Sequence, residues 1–250
     1  MKLVQSFLTN NPCYTAGRTI SVKGLMLHSV GCPQPNASVF IQNWNKSSFK
    51  NACVHGFIDA NDGTVYQTLP WNHRGWHGGG ASNNTHIGVE MCEPACIKYT
   101  GGANFTCSDL PTARAAAERT YHAAVELFAM LCKEYGLDPL ADGVVISHKE
   151  GHARGIASNH GDPEHLWSQL GMGYTMDTFR KAVKAEMEKS STKEYALDNT
   201  PAAWAKEAVE WAVSNGLMAG NANGDLMLRS PLTREQFCVM LKRYHDIFRK

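Results

Sequence analysis

Apolar and polar positions change in blocks along the first 190 residues, and the length of each block selects an element. Gly24-Leu25-Met26-Leu27-His28-Ser29 is a short apolar run that closes on polar residues, the pattern of a buried strand. From Val54 to Gln67 two β-prone runs flank Ala60-Asn61-Asp62-Gly63. Asp-Gly supplies the positive φ of a tight turn, so a hairpin is predicted there. Ile87-Gly88-Val89-Glu90-Met91 and Val144-Val145-Ile146-Ser147-His148 read as two further strands. Between them, apolar residues at Ala116, Ala123, Leu127 and Leu131 predict a long helix from about Thr112 to Tyr135, stopping at Gly136. A shorter helix is predicted over Thr175 to Lys189. Strands alternating with helices imply an α/β layer fold with a mostly covered sheet.

The pattern changes after Lys189. Glu188 to Thr200 is polar and reads as a linker. Beyond it one helix is predicted from Ala202 to Asn215, with Trp204, Ala208, Trp211 and Ala212 on one face and Gly216 as its cap. A Gly/Asn-rich loop follows, then a second helix opened by Thr233 and ending near Arg249. Thr233-Arg234-Glu235-Gln236 fits a capping box. The predicted organisation is a domain over 1–189, a linker over 190–200 and a small all-helical C-terminal module over 201–250.

Composition narrows the function by exclusion. Hydrophobic residues are 43% and charged residues 19% of the 250, enough to bury a core and unlike a disordered chain. A net charge of +1 offers no basic field for nucleic acid or an anionic membrane. The eight cysteines form no CxxC pair, so a thiolate zinc site has no spacing to support it. Ala123 to Cys132 is interrupted by Glu126 and falls short of the ~20 residues of a membrane span. The first residues carry no apolar run of secretory-signal length, so synthesis in the cytoplasm without a signal peptide, with reduced thiols, is expected.

The candidate chemistry sits where strands end or loops begin. His28 and His148 close the first and fourth predicted strands, and Asp162 lies in the loop Asn159-His160-Gly161-Asp162-Pro163. Two imidazoles and a carboxylate leave one position open on a tetrahedral zinc, the ligand arithmetic of a catalytic site. By spacing alone, a histidine that only completes the packing or the surface is the commoner case. His73, His86, His122, His152 and His245 carry no motif and read as structural or surface residues.

Six segments in order carry more. Leu27-His28-Ser29, His55-Gly56-Phe57-Ile58-Asp59 running into Asp62 to Gln67, and Gly75-Trp76-His77-Gly78-Gly79 are the first three. Ile87-Gly88-Val89-Glu90, Ser147-His148-Lys149-Glu150 and Asp162-Pro163 complete the series. Over roughly residues 20–170 the chain resembles the zinc-dependent N-acetylmuramoyl-L-alanine amidases of the type 2 family, which share their fold with peptidoglycan recognition proteins. The resemblance implies a mixed central β-sheet flanked by helices and Zn2+ on His28, His148 and Asp162. It implies hydrolysis of the amide between N-acetylmuramic acid and L-alanine of peptidoglycan, with Glu90 as the catalytic carboxylate. His160 stands where many members carry Lys, which implies an oxyanion partner whose charge varies with pH more than a lysine's; His165 is a rival for that role. His55 falls near a position that faces the metal, and Trp76 and His77 belong to a loop lining the substrate groove.

The tail resembles a single S-layer homology motif, a family that binds secondary cell-wall polymers, usually through three copies. Arg234 would then pair with an anionic glycan; packing and self-association are the other readings of the tail. Together these features imply a phage or prophage endolysin acting on the bacterial cell wall after holin-type release, or a cytoplasmic recycling enzyme, with the tail favouring the first. Two other classes stay open: a recognition protein that binds peptidoglycan without cutting it, and a cysteine hydrolase using Cys53 or Cys32.

Overall fold

The computed structural model describes residues 1–191, 198–221 and 224–248. Most of the expected linker therefore lies outside the described residues. The chain divides into two compact units, Met1–Ser190 and Ser191–Lys250.

The first unit opens with β1 (Leu3–Gln5), α1 (Pro12–Thr15), β2 (Gly24–Ser29) and α2 (Ala37–Trp44). The hairpin β3 (Gly56–Ile58) and β4 (Val65–Gln67) leads to β5 (His86–Met91). A second hairpin, β6 (Ile97–Gly101) and β7 (Asn104–Cys107), precedes the long α3 (Leu110–Tyr135). β8 (Val145–Ser147) runs directly into α4 (His148–Ala153), followed by α5 (Glu164–Gln169) and α6 (Met176–Ser191). Six strands form one mixed sheet in the order β1-β4-β3-β5-β2-β8. Only the β3–β4 pair in it is antiparallel.

Every residue of β2 is buried, as expected for a central strand of a mostly parallel sheet covered on both faces. Leu25, Leu27, Ile87 and Val89 meet Leu127, Phe128 and Leu131 of α3 and Phe179 and Val183 of α6 in the main core. On the other side Phe57, Val54 and Cys92 pack with Phe40 and Trp44 of α2. Small residues on α3, including Ala113, Ala117 and Ala124, are fully buried and let the helix lie close.

Three differences from the expectation have local causes. α3 begins two residues early because Asp109 caps it, its side chain accepting from the Thr112 N–H at 3.1 Å. The fourth strand stops before His148, because Ser147 and Glu150 form a reciprocal capping box that starts α4 at His148. β1 and the β6–β7 hairpin are short and half exposed, so they carry no hydrophobic period to be read.

In the second unit a 3-10 turn (Ala203–Ala205) leads into α7 (Lys206–Ser214), and α8 (Arg234–Phe248) closes the described chain. The Thr233 N–H donates to Gln236 Oε1 at 2.8 Å and the Gln236 N–H to Thr233 Oγ1 at 3.1 Å, a complete capping box. Asp225 is buried and accepts from the N–H groups of Asp198 and Met227, both at 2.9 Å. Trp211 stacks on Phe248 at 5.7 Å, whereas Trp204 is 90% exposed. Arg234 lies exposed at the first position of α8. No helix among the described residues is long and apolar enough to cross a membrane.

Candidate metal centre

The carboxyl ends of β2, β5 and β8 bring the chemistry together, as open α/β sheets place their ligand sites. His28 and Glu90 are register partners on the parallel strands β2 and β5, so their side chains leave the same face. His148 opens α4 directly beyond β8. Asp162 arrives from the loop before α5 through a cis Asp162-Pro163 bond.

His28 Nδ1 lies 3.0 Å from His148 Nδ1 and 3.3 Å from Asp162 Oδ2, and His148 Nδ1 lies 3.6 Å from Asp162 Oδ1. One donor atom from each of the three residues falls within 4.8 Å of the others, and all three residues are buried. The Ser29 N–H also donates to Asp162 Oδ2 at 3.3 Å. Burial lowers the pKa of His28, against the opposing pull of Asp162.

Glu90 lines the groove beside these donors, and its Oε2 is buried with no hydrogen-bond partner. Burial, then the charges of Asp162 and Glu93, push its pKa well up. The groove measures about 630 Å³ and is also lined by Trp76, His160 and Tyr99. Trp76 is 46% exposed and Arg74 sits over its ring at 5.5 Å. His160 is exposed, 4.5 Å from His148 between ring centroids, and hydrogen-bonds through Nδ1 to Ser158 Oγ at 3.1 Å.

His55 and His77 are placed differently from the expectation that both face substrate or metal. Both ring nitrogens of His55 are occupied by backbone: Nε2 lies 2.7 Å from the His73 carbonyl, and Nδ1 accepts from the Gly88 N–H at 3.0 Å. Burial lowers its pKa to about 4, which keeps it neutral in that role. His77 is buried behind His28, with Nδ1 3.0 Å from His28 Nε2. Its ring fills the space over Gly88, where an added Cβ would stand 2.3 Å from His77 Cγ. Gly88→Ala is expected to destabilise the metal-free protein by about 1–3 kcal/mol, because the ring has to give way in a packed site. A urea midpoint equal to that of the wild type would contradict this.

The residues that the motifs did not flag are Ser158, Glu93 and Tyr99. Ser158 Oγ lies 3.1 Å from His148 Nε2. Glu93 is fully buried and accepts from the Gly31 N–H at 3.1 Å and Tyr99 OH at 2.8 Å. His165 Nε2 reaches the same Tyr99 oxygen at 2.7 Å, which ties His165 into this cluster. A loop serine and an acid three residues past Glu90 carry no spacing signal, so only the fold could bring them in.

Burial raises Glu93 from 4.5 to about 7. The folded state then holds this proton where the unfolded chain has lost it. The resulting stabilisation is complete below about pH 4.5 and is lost as pH rises through about 7. Glutamine stays neutral: its oxygen can still accept from the Gly31 N–H, and its NH2 can donate to the Tyr99 oxygen, whose own hydrogen then turns to His165 Nε2. Glu93→Gln should match the metal-free wild type at pH 4.5 and exceed it by about 1–3 kcal/mol at pH 8, because a proton held in one state alone changes stability by ~1.4 kcal/mol for each step of one in pH. Denaturation curves at the two pH values test this, and a difference that does not change with pH refutes it.

Residues 18–165 match the family profile described as N-acetylmuramoyl-L-alanine amidase, and residues 197–238 that of the S-layer homology domain. The chain is similar in structure to the Staphylococcus aureus hydrolase AmiA solved with its ligand, at 19% identity and a TM-score of 0.58 over 77% of this chain and 86% of that one. It is also similar to the catalytic domain of XlyA, at 20% identity and a TM-score of 0.50 over 73% of this chain and 99% of that one. PlyL is matched at 16% identity and a TM-score of 0.50, over 73% and 97%. These structures share the fold. No curated protein sequence matches the chain.

Proposed function

Because this chain belongs to the N-acetylmuramoyl-L-alanine amidase family, we propose that it cuts the amide between N-acetylmuramic acid and L-alanine of peptidoglycan in a zinc-dependent reaction. The observation that carries this reading is the convergence of His28, His148 and Asp162 beside a partnerless carboxylate oxygen of Glu90. The donor set fits the ion: two imidazole nitrogens face each other at 3.0 Å with a carboxylate between 3.3 and 3.6 Å away. Bound there, zinc would supply Lewis acidity and lower the pKa of a water toward ~7.

The chain's own residues supply the rest. Glu90 takes the proton of the attacking water and passes it to the leaving L-alanine nitrogen. His160, beside His148 at the groove wall, donates a hydrogen bond to the oxyanion of the tetrahedral intermediate. The exposed face of Trp76 offers a stacking surface for a sugar ring. The S-layer homology module holds the enzyme on the wall, with Arg234 pairing with an anionic polymer, and so raises local concentration at the substrate. A wall hydrolase joined to a wall-binding module supports an endolysin-type role in bacterial lysis.

Purified cell walls incubated with the protein test this directly. Mass spectrometry should find new amino-terminal L-alanine and glycan whose N-acetylmuramic acid residues bear free lactyl carboxylates, and a chelator should stop their appearance. Cleavage that survives metal removal would rule out the zinc chemistry. Binding without new termini would make the protein a non-catalytic receptor.

A further inference from the structure

The loop Trp76-His77-Gly78-Gly79 is shaped to do more than line a groove. His77 is buried, edge-on to His28 with ring centroids 5.2 Å apart. Its Nε2 lies 3.0 Å from the His86 carbonyl oxygen. A carbonyl only accepts, so His77 Nε2 carries the hydrogen, and in a neutral imidazole Nδ1 is then the acceptor. The atom facing His77 Nδ1 at 3.0 Å is His28 Nε2. His28 Nε2 must therefore donate, which leaves His28 Nδ1 as a bare lone pair aimed at His148 and Asp162.

The same loop controls the second imidazole. His148 Nε2 lies 3.1 Å from Ser158 Oγ, an oxygen with lone pairs to accept its hydrogen. Ser158 is pinned to the loop by its N–H, which donates to the Gly78 carbonyl at 2.8 Å, and its hydroxyl lies 3.4 Å from the same oxygen. Absent side chains make the fit possible: a Cβ on Gly79 would stand 2.7 Å from Ser158 Oγ, and one on Gly80 2.5 Å from the Ile156 carbonyl. The His77 and Gly78 N–H groups both donate to Asn83 Oδ1, at 2.8 and 2.9 Å, which fixes the loop from its other side.

We propose that His77 and Ser158 are positioning residues that lock both histidines with Nε2 protonated and Nδ1 free to bind the metal. His77 thus acts through His28 rather than on the substrate. This inference rests on the metal reading above and adds the residues that orient its donors. Partners of this kind are worth about 10–100-fold in metal affinity.

Zinc affinity by chelator competition, with no substrate present, tests the proposal on the full chain. His77→Phe should bind Zn2+ 10–100-fold more weakly than the wild type, and His77→Asn, whose Oδ1 replaces the Nδ1 acceptor, should recover most of the loss. Ser158→Ala should weaken binding in the same direction. If the wild type takes up no zinc, the metal reading itself fails. If the wild type binds zinc and folded His77→Phe binds it equally well, the positioning role is refuted. Nitrogen-15 NMR of the zinc-loaded wild type needs no variant: hydrogen on Nε2 of His28 and His148 is expected, and hydrogen on Nδ1 of either overturns the proposal.

Discussion

Replacing His148 by alanine is expected to lower wall hydrolysis by at least ~10³-fold and to leave the purified protein without stoichiometric zinc. The substitution removes one of two imidazoles that face each other at 3.0 Å and leaves Asp162 with a single histidine partner. A metal that contributes several kcal/mol to the transition state is worth a decade of rate for each ~1.4 kcal/mol. The sheet should survive, because His148 stands at the first turn of α4 and the main core is built from Leu25, Leu27, Ile87 and Phe128. Metal content after gel filtration, circular dichroism and the count of new L-alanine termini separate the two effects. Wild-type cleavage by a zinc-free, folded variant would remove His148 from the centre.

Glu90→Gln is expected to lower kcat by about 10²–10⁴-fold while zinc stays bound, the range for losing a general acid–base group. Glutamine keeps the shape of the side chain but cannot take a proton from water. The loss should be clean, because Glu90 Oε2 has no hydrogen-bond partner whose removal would disturb the fold. Glu90 also lies outside the three converging donors, so metal content should not follow activity. A kcat within tenfold of the wild type, at full zinc content, would assign the proton transfer to another residue. Glu93 is then the nearest acid in sequence. Its oxygens accept from Gly31 and Tyr99, so it is already engaged, whereas Oε2 of Glu90 has no hydrogen-bond partner.

The two substitutions differ because the two residues reach the groove by different routes. Glu90 is carried by the register of two strands, and any sequence that aligns β2 with β5 places it beside His28. His148 depends on a strand ending and a helix starting at one point. Ser147 and Glu150 set that point by capping each other's backbone, with the Glu150 N–H to Ser147 Oγ at 3.0 Å and the Ser147 N–H to Glu150 Oε2 at 3.2 Å. Arg180 of α6 holds Glu150 with hydrogen bonds of 2.9–3.1 Å, so a distant helix also supports the cap.

The local pattern of the sequence determined the elements with strong periods and clear punctuation. The buried run at Gly24–Ser29, the Asp-Gly hairpin and the Ala-rich helix ending at Gly136 are each decided within a few residues, by burial, by positive φ and by a left-handed cap. The ordered motifs likewise singled out His28, Glu90, His148 and Asp162, because strand ends and the Asp-Pro loop are visible in one dimension. Tertiary structure alone decided what stands behind those residues. His77 meets His28 and Ser158 meets His148 across separations of 49 and 10 residues, over glycines whose missing side chains make the room. Such contacts depend on which surfaces the sheet brings face to face, and hydrophobic period does not encode that. The same limit explains His55, which shares its segment with the motif yet has both ring nitrogens taken by backbone, from the loop at His73 and from Gly88 of β5.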